Sequence, residues 1–118
     1  MRIRVEDVFD AAMALPGHDR CSGLHGHTYK VEAMVKAPVV NGVVADFRDV
    51  KAALHEAIKG FDHTDVSLQM EFPSCENLVI AICRKLHLAL PGLEMVRLWE
   101  GEGKWIELDA KDLATLHA

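Results

Sequence analysis

Polar and aliphatic side chains alternate from the first residues of the chain, with Arg2, Arg4 and Glu6 interleaved with Ile3 and Val5. The phase breaks near Asp7 and Val8, and the alternation resumes with Phe9, Ala11 and Met13 on one parity. A two-residue period belongs to a strand with one buried face, so a first strand is expected here, bulged where the phase breaks. A polar loop containing Pro16, Gly17 and Gly23 follows. The second period-two segment runs from His25 to Lys36, with His25, His27, Tyr29, Val31, Ala33 and Val35 on one face and Gly26, Thr28, Lys30, Glu32, Met34 and Lys36 on the other. Asp46 then precedes Phe47, Val50, Leu54 and Ile58 at helical spacing, with Asp49 in the first turn and Gly60 as a stop, which predicts a first helix. Pro73 and the candidate N-cap Ser74 open a second helix through Leu78, Val79, Ile82, Cys83 and Leu86, ending before Pro91 and Gly92. Met95 to Glu100 and Lys104 to Asp109 alternate around Gly101-Glu102-Gly103, a hairpin signal. The order is ββααββ, an α+β arrangement in which a four-stranded antiparallel sheet carries two helices on one face. So small a sheet leaves long edges, which a symmetric oligomer can cover.

Composition narrows the class. With 118 residues, 50% hydrophobic and 26% charged, the chain makes one domain spanning residues 1–118, and a second does not fit. Its mean hydropathy is +0.07, yet no apolar stretch approaches the roughly 18 to 20 residues of a spanning helix. The charged and aliphatic start, Met1 to Asp7, lacks the apolar core of a signal peptide, so a cytoplasmic protein with no membrane partner is expected. A net charge of -5 without a basic block argues against nucleic acid as a partner. Cys21, Cys75 and Cys83 are odd in number and lack framework spacing, which predicts free thiols.

The reactive side chains concentrate in Cys21-Ser22-Gly23-Leu24-His25-Gly26-His27. Period-two geometry puts both imidazoles on one face, close enough to share a metal, with Gly26 leaving the other face open; a structural histidine pair is the plain alternative. Cys21 lies beside His18 and Arg20, whose charge would favour a thiolate, whereas Cys83 on an apolar helix face reads as inert core and Cys75 stays open. Asp62-His63 could pair a carboxylate with a proton-shuttling imidazole or be a solvated turn. Glu100 ends the parity row Val96, Leu98, Glu100, where a carboxylate could bind a guanidine-like edge or turn to water. On charge alone, Arg20, Lys30 and Arg48 are candidates for holding phosphates.

Together these pieces resemble the family of 6-pyruvoyl- and 6-carboxy-tetrahydropterin synthases, which has the tunnelling fold. The resemblance rests on F-D-A-A at Phe9 to Ala12, L-P at Leu15-Pro16, C-S-G-L-H-G-H at Cys21 to His27 and V-V-A-D-F at Val43 to Phe47. It continues with D-H at Asp62-His63, P-S-C-E-N at Pro73 to Asn77 and V-R-L-W-E at Val96 to Glu100, in the family's order across most of the chain. It implies trimeric rings that close a barrel from their sheets and stack into a homohexamer, with active sites between subunits. It further implies a lyase acting on 7,8-dihydroneopterin triphosphate, most like the 6-carboxy enzyme of 7-deazaguanine (queuosine) biosynthesis, the 6-pyruvoyl enzyme being the nearest alternative. Carried over, His25 and His27 are zinc ligands, Cys21 the proton-transferring base, Asp62 and His63 its assistants, and Glu100 the pterin anchor. Ser74 and Cys75 resemble the helix-start positions that contact the pterin ring. A branch of the family that leaves a hydroxymethyl pterin uses a glutamate near the cysteine position, from which Cys21 points away.

One position departs from the pattern. The family's first zinc histidine ends F-x-A-A-H, and here that position is Met13, whose neutral, soft thioether does not replace imidazole toward zinc. Either His18 supplies the third ligand, or zinc binding is weakened and the chain is a pterin- or purine-binding relative without the reaction. Met13 also reads as a core methionine on the Phe9 and Ala11 face.

Overall fold

The computed structural model describes residues 1–17 and 23–116. Two twelve-residue strands, β1 (Arg2–Met13) and β2 (His25–Lys36), pair antiparallel without interruption from Arg2 opposite Lys36 to Met13 opposite His25. Helix α1 (Phe47–Ile58) follows, and then a two-residue strand β3 (Thr64–Asp65). Helix α2 (Cys75–Ala89), β4 (Leu93–Glu100) and β5 (Trp105–Asp109) complete the order. The strands form one sheet in the order β3-β1-β2-β4-β5. The four expected strands are present, and the fifth, β3, runs parallel to β1 through Ala11 opposite Thr64 and Ala12 opposite Asp65. It forms because the chain leaving α1 is tied to β1: the His63 N–H donates to the Asp10 carbonyl at 2.6 Å, and Asp62 Oδ1 accepts from the Asp10 N–H at 3.0 Å.

The bulge expected in β1 is absent, since its register against β2 is unbroken. Ile3, Val5, Asp7, Phe9, Ala11 and Met13 share one parity throughout; Asp7 looked like a phase break only because a carboxylate occupies an inward position, where its Oδ2 lies 3.7 Å from His55 Nδ1 on α1. The register shift falls instead in β2 against β4, between Met34 and Val35.

Both helices pack on the face carrying these odd-numbered residues of β1 and β2. Tyr29, Val31, Ala33, Val96 and Leu98 are buried there against Leu54 and Ile58 of α1 and Leu78, Ile82, Cys83 and Leu86 of α2. The helix starts are set by side chains, as the sequence signals predicted. Asp46 Oδ1 accepts from the Arg48 N–H at 2.8 Å, and Ser74 Oγ accepts from the Asn77 N–H at 3.1 Å. The opposite face is a ladder of charges around Glu32, which is only 2% exposed. Its carboxylate lies 3.3 Å from Arg4, 3.4 Å from Arg97 and 3.8 Å from Lys30, and accepts from Trp99 Nε1 at 3.1 Å. A buried carboxylate without such partners would cost several kcal/mol, so the cage is what permits it there. Among the described residues no helix is long and apolar enough to cross a membrane.

The Ser74 cap fixes where α2 begins and therefore where Cys75 stands. Ser74→Ala is expected to lower the unfolding free energy by about 1 kcal/mol, measured by urea titration; an unchanged midpoint would show that this bond does not hold the helix start.

Candidate functional site

The pairing of β1 with β2 assembles the site at one end of the sheet. Met13 lies opposite His25, Ala11 opposite His27 and Phe9 opposite Tyr29, while β4 places Glu100 across from Tyr29 on its other side. All share the helix-covered face. The His25 and His27 rings meet edge to face with centroids 4.9 Å apart. His25 Nδ1 is held 2.8 Å from the Gly23 carbonyl, which with Nδ1 protonated leaves Nε2 free as a ligand atom. Tyr29 is fully buried, stacks on Phe9 at 5.0 Å, and donates its hydroxyl to Met13 Sδ at 3.1 Å. Burial first, then the nearby Cys75 and Glu100, push its phenol far above the ordinary range, so it stays a donor.

Glu100 is the convergence point. Cys75 Sγ donates to Oε2 at 2.7 Å, while Oε1 lies 3.3 Å from His27 Nε2 and 3.4 Å from Lys104 Nζ. Burial alone raises this carboxyl, but the Cys75 thiol, His27 and Lys104 outweigh it and hold the group below its ordinary value. Burial, followed by the Glu100 carboxylate, pushes the Cys75 thiol far up, so Cys75 is a hydrogen-bond donor here and not a nucleophile. Cys83 is raised to about 11 by burial in the core, as expected of an inert thiol. The Lys104 side chain is 70% exposed, so its ion pair contributes at most about 1 kcal/mol to folding.

Asp62 and His63 lie across β1 from β2, at the edge where β3 pairs. His63 Nδ1 lies 2.9 Å from Asp62 Oδ1, the arrangement expected of an oriented imidazole. The backbone N–H of Asp10 is the main reason the Asp62 carboxyl titrates below its usual value. His63 takes a left-handed backbone with φ of 58°, uncommon outside glycine, and its N–H bond to Asp10 holds it there. Asp10, Asp62 and His63 place ligand-type atoms within 4.8 Å of one another, while Thr28 donates to Asp10 at 2.5 Å. An open depression of about 580 Å³ passes over Ala12 and Gly26 and is lined by His27 as well as by Asp10, Thr28 and His63.

Cys21 and His18 lie outside the described residues. For zinc, the described residues provide two imidazoles on one face, an arrangement that fits, while the third position holds the thioether already engaged by Tyr29, which does not. Lys30 and Arg48 are not brought to the histidines. Lys30 lies on the other face over Trp99, and Arg48 is paired with Asp46 at 3.0 Å. The role of Lys104 was readable in principle, as a lysine four residues after a candidate carboxylate across a Gly-Glu-Gly turn. The Tyr29 to Met13 bond was not, because strand parity gives a shared face and not a diagonal contact.

At pH 8, Cys75 is expected to alkylate with iodoacetamide roughly tenfold or more slowly than free cysteine, because a raised pKa removes thiolate at a given pH. Peptide mapping separates it from the other thiols. Glu100→Gln should speed the reaction, and an equal rate in both proteins would show that the carboxylate does not control the thiol.

The sequence model of the family described as 6-pyruvoyl tetrahydropterin synthase matches residues 2–111. A protein of Archaeoglobus fulgidus with the provisional name 6-carboxy-5,6,7,8-tetrahydropterin synthase is 38% identical over 109 residues, covering 92% of this chain and 95% of that one. A dihydroneopterin monophosphate aldolase of Pyrococcus furiosus is 33% identical over 111 residues, covering 92% and 96%. The structure of 6-pyruvoyl tetrahydropterin synthase from Caenorhabditis elegans superposes with a TM-score of 0.84 at 19% identity, covering 92% of this chain and 94% of that one, which shows a common fold. With the family match spanning nearly the whole chain and two relatives above 30% identity, the chain belongs to the 6-pyruvoyl tetrahydropterin synthase family.

Proposed function

We propose that this chain is a pterin-converting lyase acting on 7,8-dihydroneopterin triphosphate, most like the 6-carboxy-tetrahydropterin synthase of 7-deazaguanine (queuosine) biosynthesis. The observation that carries the reading is Glu100, an ionised, half-buried carboxylate facing both Cys75 at the start of α2 and His27 of the histidine row. An ionised carboxylate only accepts, through two oxygens, and so complements the two donors of a pterin's amino-pyrimidine edge. Ser74 and Cys75 flank the ring. Side-chain chemistry then falls at the histidines, a few residues along the same face.

In this reading His25, His27 and His18 would hold zinc, which when bound would supply Lewis-acid chemistry at the substrate side chain. Cys21 accepts the proton that is lost, and Asp62 keeps His63 oriented to pass it on. His63 shares the open depression with His27, and in this reading the site is completed between subunits of a homohexamer. The protein acts in the cytoplasm, as one domain over residues 1–118.

The test is turnover of 7,8-dihydroneopterin triphosphate with chromatographic identification of the product. Wild-type protein should form the 6-carboxy product, and Cys21→Ala should lose roughly a hundredfold or more of the rate. Zinc should be near stoichiometric and fall in His18→Ala; Met13→His should restore it. Tight pterin binding with no turnover in zinc-replete buffer would overturn the lyase reading. A second reading, cleavage to a hydroxymethyl pterin, is favoured by the aldolase name of the Pyrococcus relative, and the same product analysis distinguishes it.

A further inference from the structure

A hollow of about 210 Å³ opens beside Glu100, lined by Cys75, Glu76, Leu98, Glu100, Lys104, Trp105 and Ile106. It is small, with an indole and two aliphatic side chains beside the carboxylates of Glu100 and Glu76, which suits a single ring system and not a whole nucleotide. His27 meets Glu100 from β2 but is not part of this lining, so a ring seated there meets two donors beside the carboxylate: the thiol on Oε2 and the ammonium on Oε1.

The position of Lys104 is built in by the turn. Gly101 and Gly103 adopt φ of 63° and 80°, conformations that favour glycine, and they fold the chain so that the residue four positions after Glu100 returns to its carboxylate. The Gly101 N–H donates to the Thr28 carbonyl at 3.1 Å, which pins the start of the turn to β2, and Trp105 pairs with Trp99 immediately after it.

From this geometry we propose that Lys104 is a specificity-determining residue that reads the 4-oxo group of the bound ring. The assignment rests on the reading that Glu100 anchors a pterin. Along its edge the hollow offers a donor, Lys104 Nζ, then an acceptor, Glu100 Oε1, then a second acceptor, Oε2. A 2-amino-4-oxo pyrimidine edge presents the complement: the O4 acceptor, the N3–H donor and the 2-amino donor. A 2,4-diamino ring has an amino group in place of O4 and a lone pair on N3, so it sets a donor against the ammonium and an acceptor against Oε1. Discrimination of this kind is strong because the mismatched ring leaves charged groups unpaired.

The experiment compares binding of 6-hydroxymethylpterin and 2,4-diamino-6-hydroxymethylpteridine, which differ only at position 4, by fluorescence titration of the full-length protein. Wild type should prefer the 4-oxo ring by roughly tenfold or more. In Lys104→Met the ratio should collapse, through weaker binding of the 4-oxo ring, while Lys104→Arg keeps the preference because it keeps a charged donor. Glu100→Gln should weaken the 4-oxo ring in either background. An unchanged ratio in Lys104→Met overturns the proposal, as does a ratio lost in Cys75→Ala instead, which would place O4 at the thiol. Equal binding of both rings by wild type overturns it while leaving the functional reading standing; binding of neither overturns both. Circular dichroism of Lys104→Met shows that a changed ratio is not a folding defect, since this side chain is exposed.

Discussion

Everything in the site depends on the register of β1 against β2. The two strands pair over twelve consecutive positions, and the side-chain period is two, so a slip of β2 by one residue would send His25, His27 and Tyr29 to the face that now carries Arg4, away from Met13. The register is held from both sides. Phe9, Ala11, Tyr29 and Val31 must reach the apolar layer under the helices, and Glu32 must reach its cationic partners on the opposite face. Neither demand survives a slip, so the position of the imidazoles follows from packing far from the imidazoles.

Strand β4 extends the same logic. Glu100 belongs to the inward row of Val96 and Leu98, and its carboxylate remains ionised because it ends the row where the core gives way to polar partners. The helix start at Ser74 delivers the thiol, and the hairpin delivers the ammonium. A local signal in the sequence thus fixes each partner of Glu100: parity for His27, an N-cap for Cys75 and a glycine turn for Lys104.

Elements with a strong period or a cap were legible before the structure was known. The boundaries of β2 and the caps Asp46 and Ser74 follow from alternation and capping alone, whereas alternation put Glu100 in the row of Val96 and Leu98 but left open whether its carboxylate turns to water. What misled was a local rule overridden by a tertiary partner: Asp7 sits inward because His55 meets it, so its charge imitated a bulge. Strand β3 was hidden because two residues carry no period; it is created by the Asp10 N–H donating to Asp62 and the His63 N–H donating to the Asp10 carbonyl. The motifs at Cys21 to His27 and Asp62-His63 were visible as residues, but that His27 and His63 line one depression is a matter of topology, which spacing along the chain does not encode.

The caged Glu32 on the face away from the helices bears on how this surface can change over time. One carboxylate balances Arg4, Lys30 and Arg97 and also takes the Trp99 indole; among the described residues its loss would leave Arg4 unpaired and Lys30 and Arg97 with only their outer partners, Glu6 at 3.9 Å and Glu107 at 3.0 Å. Each cation alone is replaceable, since two others remain to neutralise the acid, whereas the acid itself is not. Drift on this face is therefore asymmetric: the rim can exchange lysine for arginine or lose a member, while the centre stays fixed unless several residues change together.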